Sequence, residues 1–267
     1  MNLTFSYTLL ASYSLCRREL VRFYRQKSRM IGVIGSPLIF WFLIGSGLTN
    51  SFRHPGDQTG MNYLEYFFPG TITLIILFTS IFSTISIIED RQAGFLQSVI
   101  VSPVSRSAIV LGKVSGGTVL SLIQAVILLV VTPFIGIALT PLSFLLVCLV
   151  LLILSFGLTG LGFLIAWKMD SSQGFHAIMN LFLIPLWLLS GALFPASGAA
   201  GWLETVMKFN PLSYGINALR GALYFTDPQH TGETSSFVVS LLITLVFSLF
   251  TFFVSTFFVI RTEHATR

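Results

Sequence analysis

Charge is scarce in this chain: 9% of its 267 residues are Asp, Glu, Lys or Arg, while 54% are hydrophobic. An ordinary soluble domain carries about 25% charged residues, so a soluble fold is excluded. Cysteine is nearly absent as well. Cys16 falls in the N-terminal segment and Cys148 inside an apolar run, which rules out a disulfide framework. Four histidines (His54, His176, His230 and His264) are scattered along the chain and give no metal-ligand spacing. There is also no phosphate loop of the G-x-x-x-x-G-K-[ST] kind. The nearest string, Leu111-Gly112-Lys113-Val114, lacks the upstream glycine and the hydroxyl residue. ATP hydrolysis by that route is therefore not expected on this chain. Nor does the start resemble a cleavable signal peptide, because its positive charges follow the first apolar stretch rather than precede it.

What is abundant is apolar length. Mean hydropathy is +0.86, and there are 26 phenylalanines. A helix needs about 20 apolar residues to cross the hydrocarbon core. Six such runs are present, at 30–50, 68–88, 114–138, 142–167, 175–194 and 237–260. The expected fold class is all-α and integral to the membrane. His176 sits at the start of the fifth run, and otherwise the six contain no Asp, Glu, Lys, Arg or His.

Basic residues set the orientation. Twelve of the 15 fall on one side: Arg17, Arg18, Arg22, Arg25, Lys27 and Arg29, then Arg91, Arg106 and Lys113, then Lys168, Arg261 and Arg267. Arg53, Lys208 and Arg220 fall on the other, and acidic residues divide evenly. The basic side is cytoplasmic on this reading, with both termini inside. The net charge of +5 is then a topology signal, and no nucleic-acid partner is expected. Short loops and this charge pattern suggest a multi-pass protein of a cytoplasmic (inner) membrane.

Residues 1–29 read as a cytoplasmic region containing an amphipathic helix at 14–29, lying in the membrane surface. Leu20, Phe23 and Tyr24 recur at helical spacing among the arginines. Such a helix is held by its apolar stripe and by anionic lipid. Residues 30–267 read as one membrane domain. Gly32, Gly35, Pro37, Gly45 and Gly47 predict a bent or closely packed first span, and Gly157, Gly160 and Gly162 predict close contacts within the chain or between two copies. Pro133 and Pro185 are expected to kink spans three and five. Thr140–Pro141 is short enough for a tight outer hairpin. Segment 196–225 is too polar and broken to cross, yet too apolar for a free loop. It predicts two short re-entrant helices broken at Asn210–Pro211, with Trp202, Tyr214 and Tyr224 at the interface.

The polar loop 89–113 is the segment from which a span bundle without chemistry can be worked. Glu89, Asp90 and Arg91 mark its start, and Phe95, Leu96, Val99 and Ile100 form an apolar stripe at helical spacing, suited to a helix-in-groove contact. Pro103 ends that helix, and Arg106 and Lys113 are expected to hold the next span at the cytoplasmic surface.

Three segments together carry a family resemblance. The first runs from Glu89-Asp90-Arg91-Gln92-Ala93-Gly94-Phe95 through Ser102-Pro103-Val104-Ser105-Arg106 to Gly112-Lys113. The second is Leu189-Ser190-Gly191-Ala192-Leu193-Phe194-Pro195. The third is Asn210-Pro211-Leu212-Ser213-Tyr214 followed by Leu219-Arg220-Gly221. In that order the chain resembles permeases of the type 2 ABC exporter family, over nearly its whole length. It departs where the family often has a second acidic residue after the loop glycine, for here Phe95-Leu96-Gln97 follows.

The resemblance implies six spans and a second permease copy, most simply a homodimer. It also implies a separate ATP-binding cassette subunit, which carries the ATP and magnesium, with no cofactor on this chain. The loop would form a coupling helix seated on that subunit through Glu89, Asp90, Arg91, Gly94, Phe95, Leu96, Val99, Pro103 and Arg106. The outer segment would act as a gate through Asn210, Pro211, Tyr214 and Arg220, with Arg220 pairing with Glu204 or capping helix carbonyls. The expected function is export of a hydrophobic or amphipathic, drug- or lipid-like substrate, with a polysaccharide or glycolipid as the alternative. A secondary carrier would need an ionisable residue at mid-depth, and a lipid-modifying enzyme a cluster of His, Asp or Glu; neither is visible. A permease-like immunity or sensory component that binds an ATPase without exporting is not separated by sequence.

Overall fold

Seven buried serine and threonine side chains along one helix mark the centre of the molecule. In a computed structural model, which describes residues 3–48, 62–102, 104–225 and 236–264, helix α3 (Tyr63–Gln92) is buried on nearly every side. Thr71, Thr73, Thr79 and Thr84 return their hydroxyls to their own helix, so these polar groups are satisfied without water. Where hydroxyls reach further they join spans. Thr79 donates to Gln124 at 2.8 Å, and Ser80 lies 3.2 Å from Thr159.

Around α3 stand α2 (Lys27–Leu48), α5 (Arg106–Leu128), α6 (Pro141–Trp167) and α7 (Ser172–Leu188), with α10 (Phe237–His264) outside α6. Among the described residues every regular element is helical. Small residues set the spacing. A methyl group at Gly117 would lie 2.5 Å from both Ser83 and Thr159, and one at Gly162 would meet Thr84 at 2.8 Å. Gly157 and Gly160 close on Phe247 and Thr251 of α10. The glycine run of the fourth span therefore packs within the chain, and hydrophobicity alone would not have drawn these helices together in lipid.

Helix α2 differs. Its buried stripe is Val33, Pro37, Trp41 and Gly45, set against α3, where Trp41 donates to the Leu64 carbonyl at 3.0 Å. Gly32, Gly35 and Gly47 meet nothing within 4 Å, so the expectation of close packing holds only at Gly45.

Among the described residues, five helices are long and apolar enough to cross a membrane: α2, α3, α5 with its 3₁₀ extension, α6 and α10. The expected fifth span is shorter than its apolar run. Helix α7 has 17 residues, roughly 26 Å at 1.5 Å per residue, and residues 189–195 turn away instead of continuing it. At Pro133, where a kink was expected, α5 passes into 3₁₀ geometry over Leu129–Ile135, as proline removes a helical donor. Pro185 lies inside α7 without ending it.

The N-terminal helix is longer than the predicted 14–29. Helix α1 spans Leu3–Arg25 and breaks at Gln26 before α2. It does not cross the bundle flat. Ser105 bonds to Thr8 and Ser12 to the Ala108 carbonyl, pairs 97 and 96 residues apart. Leu15 abuts Gly112 and Glu19 abuts Gly116 in the same register. A constant offset means that α1 and α5 run parallel, side by side. A surface-lying helix was expected from the amphipathic pattern; the docked arrangement arises because Gly112 and Gly116 open a groove for it.

Candidate functional site

The cytoplasmic elbow is built where α3, α1 and α5 meet. Asp90, in the last turn of α3, is 2% exposed and accepts from both guanidinium nitrogens of Arg18, at 2.7 and 2.6 Å. Such bidentate pairs combine charge with fixed geometry. Arg22 adds a third contact to Asp90 at 2.9 Å and also pairs with Glu89, which Arg29 approaches at 3.5 Å. Lys113 completes the network from α5. Its ammonium donates to Glu19 at 2.5 Å, to Ser86 at 3.1 Å and to Asp90. Hydrogen bonding to Asp90 pushes the Arg18 guanidinium above its ordinary value, already far above neutrality. A group raised in the fold loses its contribution only as pH climbs through that value, so this contact stays charged at physiological pH.

Gly94 then turns the chain at φ +74°, a conformation that costs glycine little. Helix α4 (Phe95–Val101) follows and is clasped at both ends. Arg18 stacks on the Phe95 ring at 3.7 Å, and Arg106 donates to the Ile100 carbonyl at 2.7 Å. Arg91 secures the other side, to the Met169 carbonyl at 3.1 Å, to Asp170 at 3.0 Å and to the Trp167 carbonyl.

Two sequence expectations change here. The apolar stripe of α4 does not face outward: Leu96 is buried, and Phe95, Val99 and Ile100 pack against the chain's own core. Helical spacing identifies a stripe but not what covers it. The outward face is Gln97, Ser98 and Val101, the last 84% exposed. Likewise Glu89, Asp90 and Arg91 pair internally, and Lys113 is buried rather than at the surface, because Glu19 and Asp90 converge on it. Pro103 lies outside the described residues. Sequence reasoning missed Glu19. Its signal was present, as the single acid among the basic residues of α1.

At the opposite end the other two motifs form one cluster. The Gly191 carbonyl, in a turn with φ +80°, accepts from the Tyr66 hydroxyl at 2.8 Å and from Arg220 at 3.4 Å. Arg220 also lies 4.4 Å from the Tyr66 ring and reaches the Tyr66 carbonyl at 3.5 Å. It therefore meets carbonyls, as one of the two expectations had it, while Glu204 pairs with Lys208 instead. Helices α8 (Gly201–Phe209) and α9 (Pro211–Leu223) break at the predicted place. Asn210 donates to the Leu186 and Leu189 carbonyls at 2.6 and 2.8 Å and accepts from the Leu212 amide at 2.9 Å. Pro211 fills the first position of α9, and the Tyr214 hydroxyl donates to the Lys208 carbonyl. Trp202 is exposed as an interfacial aromatic should be, but Tyr224 is buried.

The family model described as ABC-2 type transporter matches residues 11–224, from within α1 to the end of the Arg220 cluster. The chain belongs to the ABC-2 type transporter family. A protein named as transport permease ycf38 of Cyanophora paradoxa is 30% identical over 211 residues, covering 78% of this chain and 72% of that one. Nodulation protein J of Rhizobium meliloti is 24% identical over 220 residues, with 76% and 77% covered. A protein named as multidrug ABC transporter permease YbhR of Escherichia coli K12 is 26% identical over 161 residues, which cover 58% of this chain and 42% of that one. This permease is therefore a multi-pass transmembrane subunit of an ABC transporter, and the family implies an ATP-binding cassette partner.

Proposed function

We propose that the permease is half of a dimeric exporter in the cytoplasmic membrane, with both termini inside, worked by two ATP-binding subunits through α4. The carrying observation is the clasped elbow. A seven-residue helix tied at Phe95 to Arg18 of α1 and at Ile100 to Arg106 of α5, and joined to α3 through the Gly94 turn, moves with them, so a push on α4 reaches α1, α3 and α5. The partner would meet Gln97, Ser98 and Val101 and the adjoining groove of about 410 Å³, edged by Arg91, Trp167 and Lys168. ATP and magnesium are held by that partner. On this reading α7, the turn after it and the α8–α9 pair complete a sixth passage, with Asn210 and Arg220 holding the outer gate.

The cargo is hydrophobic or amphipathic. Between Met30 and Leu48 the exposed side of α2 presents Ile31, Ile39, Phe42 and Leu43, with no ionisable residue. Such a wall suits drug- or lipid-like molecules better than a polyanion.

The test is the double change Gln97→Asp with Val101→Asp, both on exposed positions, in cells that also express the ATP-binding partner. Efflux of an amphipathic dye is expected to fall at least about tenfold, as for a docking centre, with the amount of permease in the membrane unchanged. Wild-type efflux by that variant refutes coupling through α4.

A further inference from the structure

A groove along the exposed face of α1 adjoins the elbow and carries basic residues that the elbow does not use. It is open, about 660 Å³, and is lined by Tyr13, Arg17, Arg18, Val21, Arg22 and Arg25 among others. Two of its four arginines are committed: Arg18 to Asp90, Arg22 to Asp90 and Glu89. Arg17 and Arg25 are exposed and have no ion pair or hydrogen bond among the described residues. They lie eight positions apart on one helix face, roughly 12 Å at 1.5 Å per residue.

The neighbours of these two cations are not those of a solvated charge patch. Tyr13 is 66% exposed and Tyr24 72%, with Val21 also open. Aromatic rings with polar tips beside arginines are the composition of a lipid headgroup boundary. The position agrees. Helix α1 ends at Arg25, and after Gln26 the candidate span α2 begins. The Arg17–Arg25 turns therefore lie within roughly 15 Å of where the chain enters the membrane.

We infer that this groove is a binding site for an anionic phospholipid of the inner leaflet, its phosphodiester held between Arg17 and Arg25 and its glycerol and upper chains against Tyr13 and Val21. The site does not depend on the identity of the ATPase or the cargo. It would fasten α1, and with it the Arg18–Asp90 side of the elbow, to the membrane surface. Attraction to an anionic surface amounts to roughly a fivefold affinity factor per basic residue, so two arginines give roughly thirtyfold.

The test titrates phosphatidylglycerol into the detergent-solubilised full chain and counts bound lipid by native mass spectrometry. Phosphatidylcholine and glycerol 3-phosphate serve as comparisons. The wild type is expected to prefer phosphatidylglycerol, and R17Q with R25Q to lose roughly thirtyfold of that affinity while binding phosphatidylcholine as before. R17K with R25K keeps most of the preference, because charge rather than the guanidinium fork carries it. Unchanged phosphatidylglycerol affinity in R17Q with R25Q overturns the site. So does competition by glycerol 3-phosphate equal to that of the lipid, which would make it a site for soluble phosphate. Retained lipid affinity together with loss of the co-purifying ATPase would assign this face to the ATPase instead.

Discussion

Changing Lys113 to Met is expected to cost the folded permease about 3–5 kcal/mol, the range for removing one partner of a buried ion pair. Lys113 sits between two carboxylates that are themselves nearly inaccessible, Glu19 at 3% and Asp90 at 2% exposed. Asp90 retains Arg18 and Arg22 after the change, but Glu19 keeps only Arg18, at 3.9 Å. The cost thus falls on Glu19, left charged without a close partner. That assignment predicts a recovery. Adding Glu19→Gln to Lys113→Met removes the stranded charge, so the double variant is more stable than the single one. Unfolding midpoints in mixed detergent micelles measure both, and a cycle of the four proteins isolates the coupling. A double variant no more stable than Lys113→Met would contradict the pairing described.

The second large effect is expected at Asn210. This side chain satisfies three backbone groups at once, two carbonyls at the end of α7 and one amide at the start of α9. Loss of a helix cap costs about 1 kcal/mol, and each buried group left unpaired adds about 1–3 kcal/mol. Asn210→Ala is accordingly expected to destabilise the permease by about 3–7 kcal/mol. Asn210→Asp separates the two functions. It keeps the acceptor for the Leu212 amide but turns a carboxylate toward two carbonyls, so it should be no better than alanine. Stability equal to wild type in the Asp variant would show that the carbonyl contacts carry no weight.

Much of this architecture was legible in the residues because lipid allows few solutions. A backbone crossing hydrocarbon must satisfy itself as helix, so long apolar runs such as 142–167 locate their spans, and α6 does occupy Pro141–Trp167. The Asn210–Pro211 break was readable for a local reason: Asn caps and Pro starts a helix. Other features depend on what lies opposite, which a single chain's pattern does not encode. Phe95, Leu96, Val99 and Ile100 show helical spacing whether the stripe meets a partner subunit or, as here, the chain's own core. Lys113 reads as a boundary lysine until Glu19, 94 residues away, is brought beside it. The run 175–194 is mostly apolar, yet the helix stops at Leu188 because Gly191 turns the chain and Tyr66, Arg220 and Asn210 gather the freed carbonyls.

The central claim is that this permease is driven by a separate ATPase acting on α4. It is tested most directly by purifying the tagged full chain from its native membranes in mild detergent and identifying what accompanies it. The account predicts a stoichiometric soluble subunit bearing a G-x-x-x-x-G-K-[ST] loop, lost when Gln97 and Val101 are changed to Asp. A chain that comes through alone, with and without ATP, would contradict it.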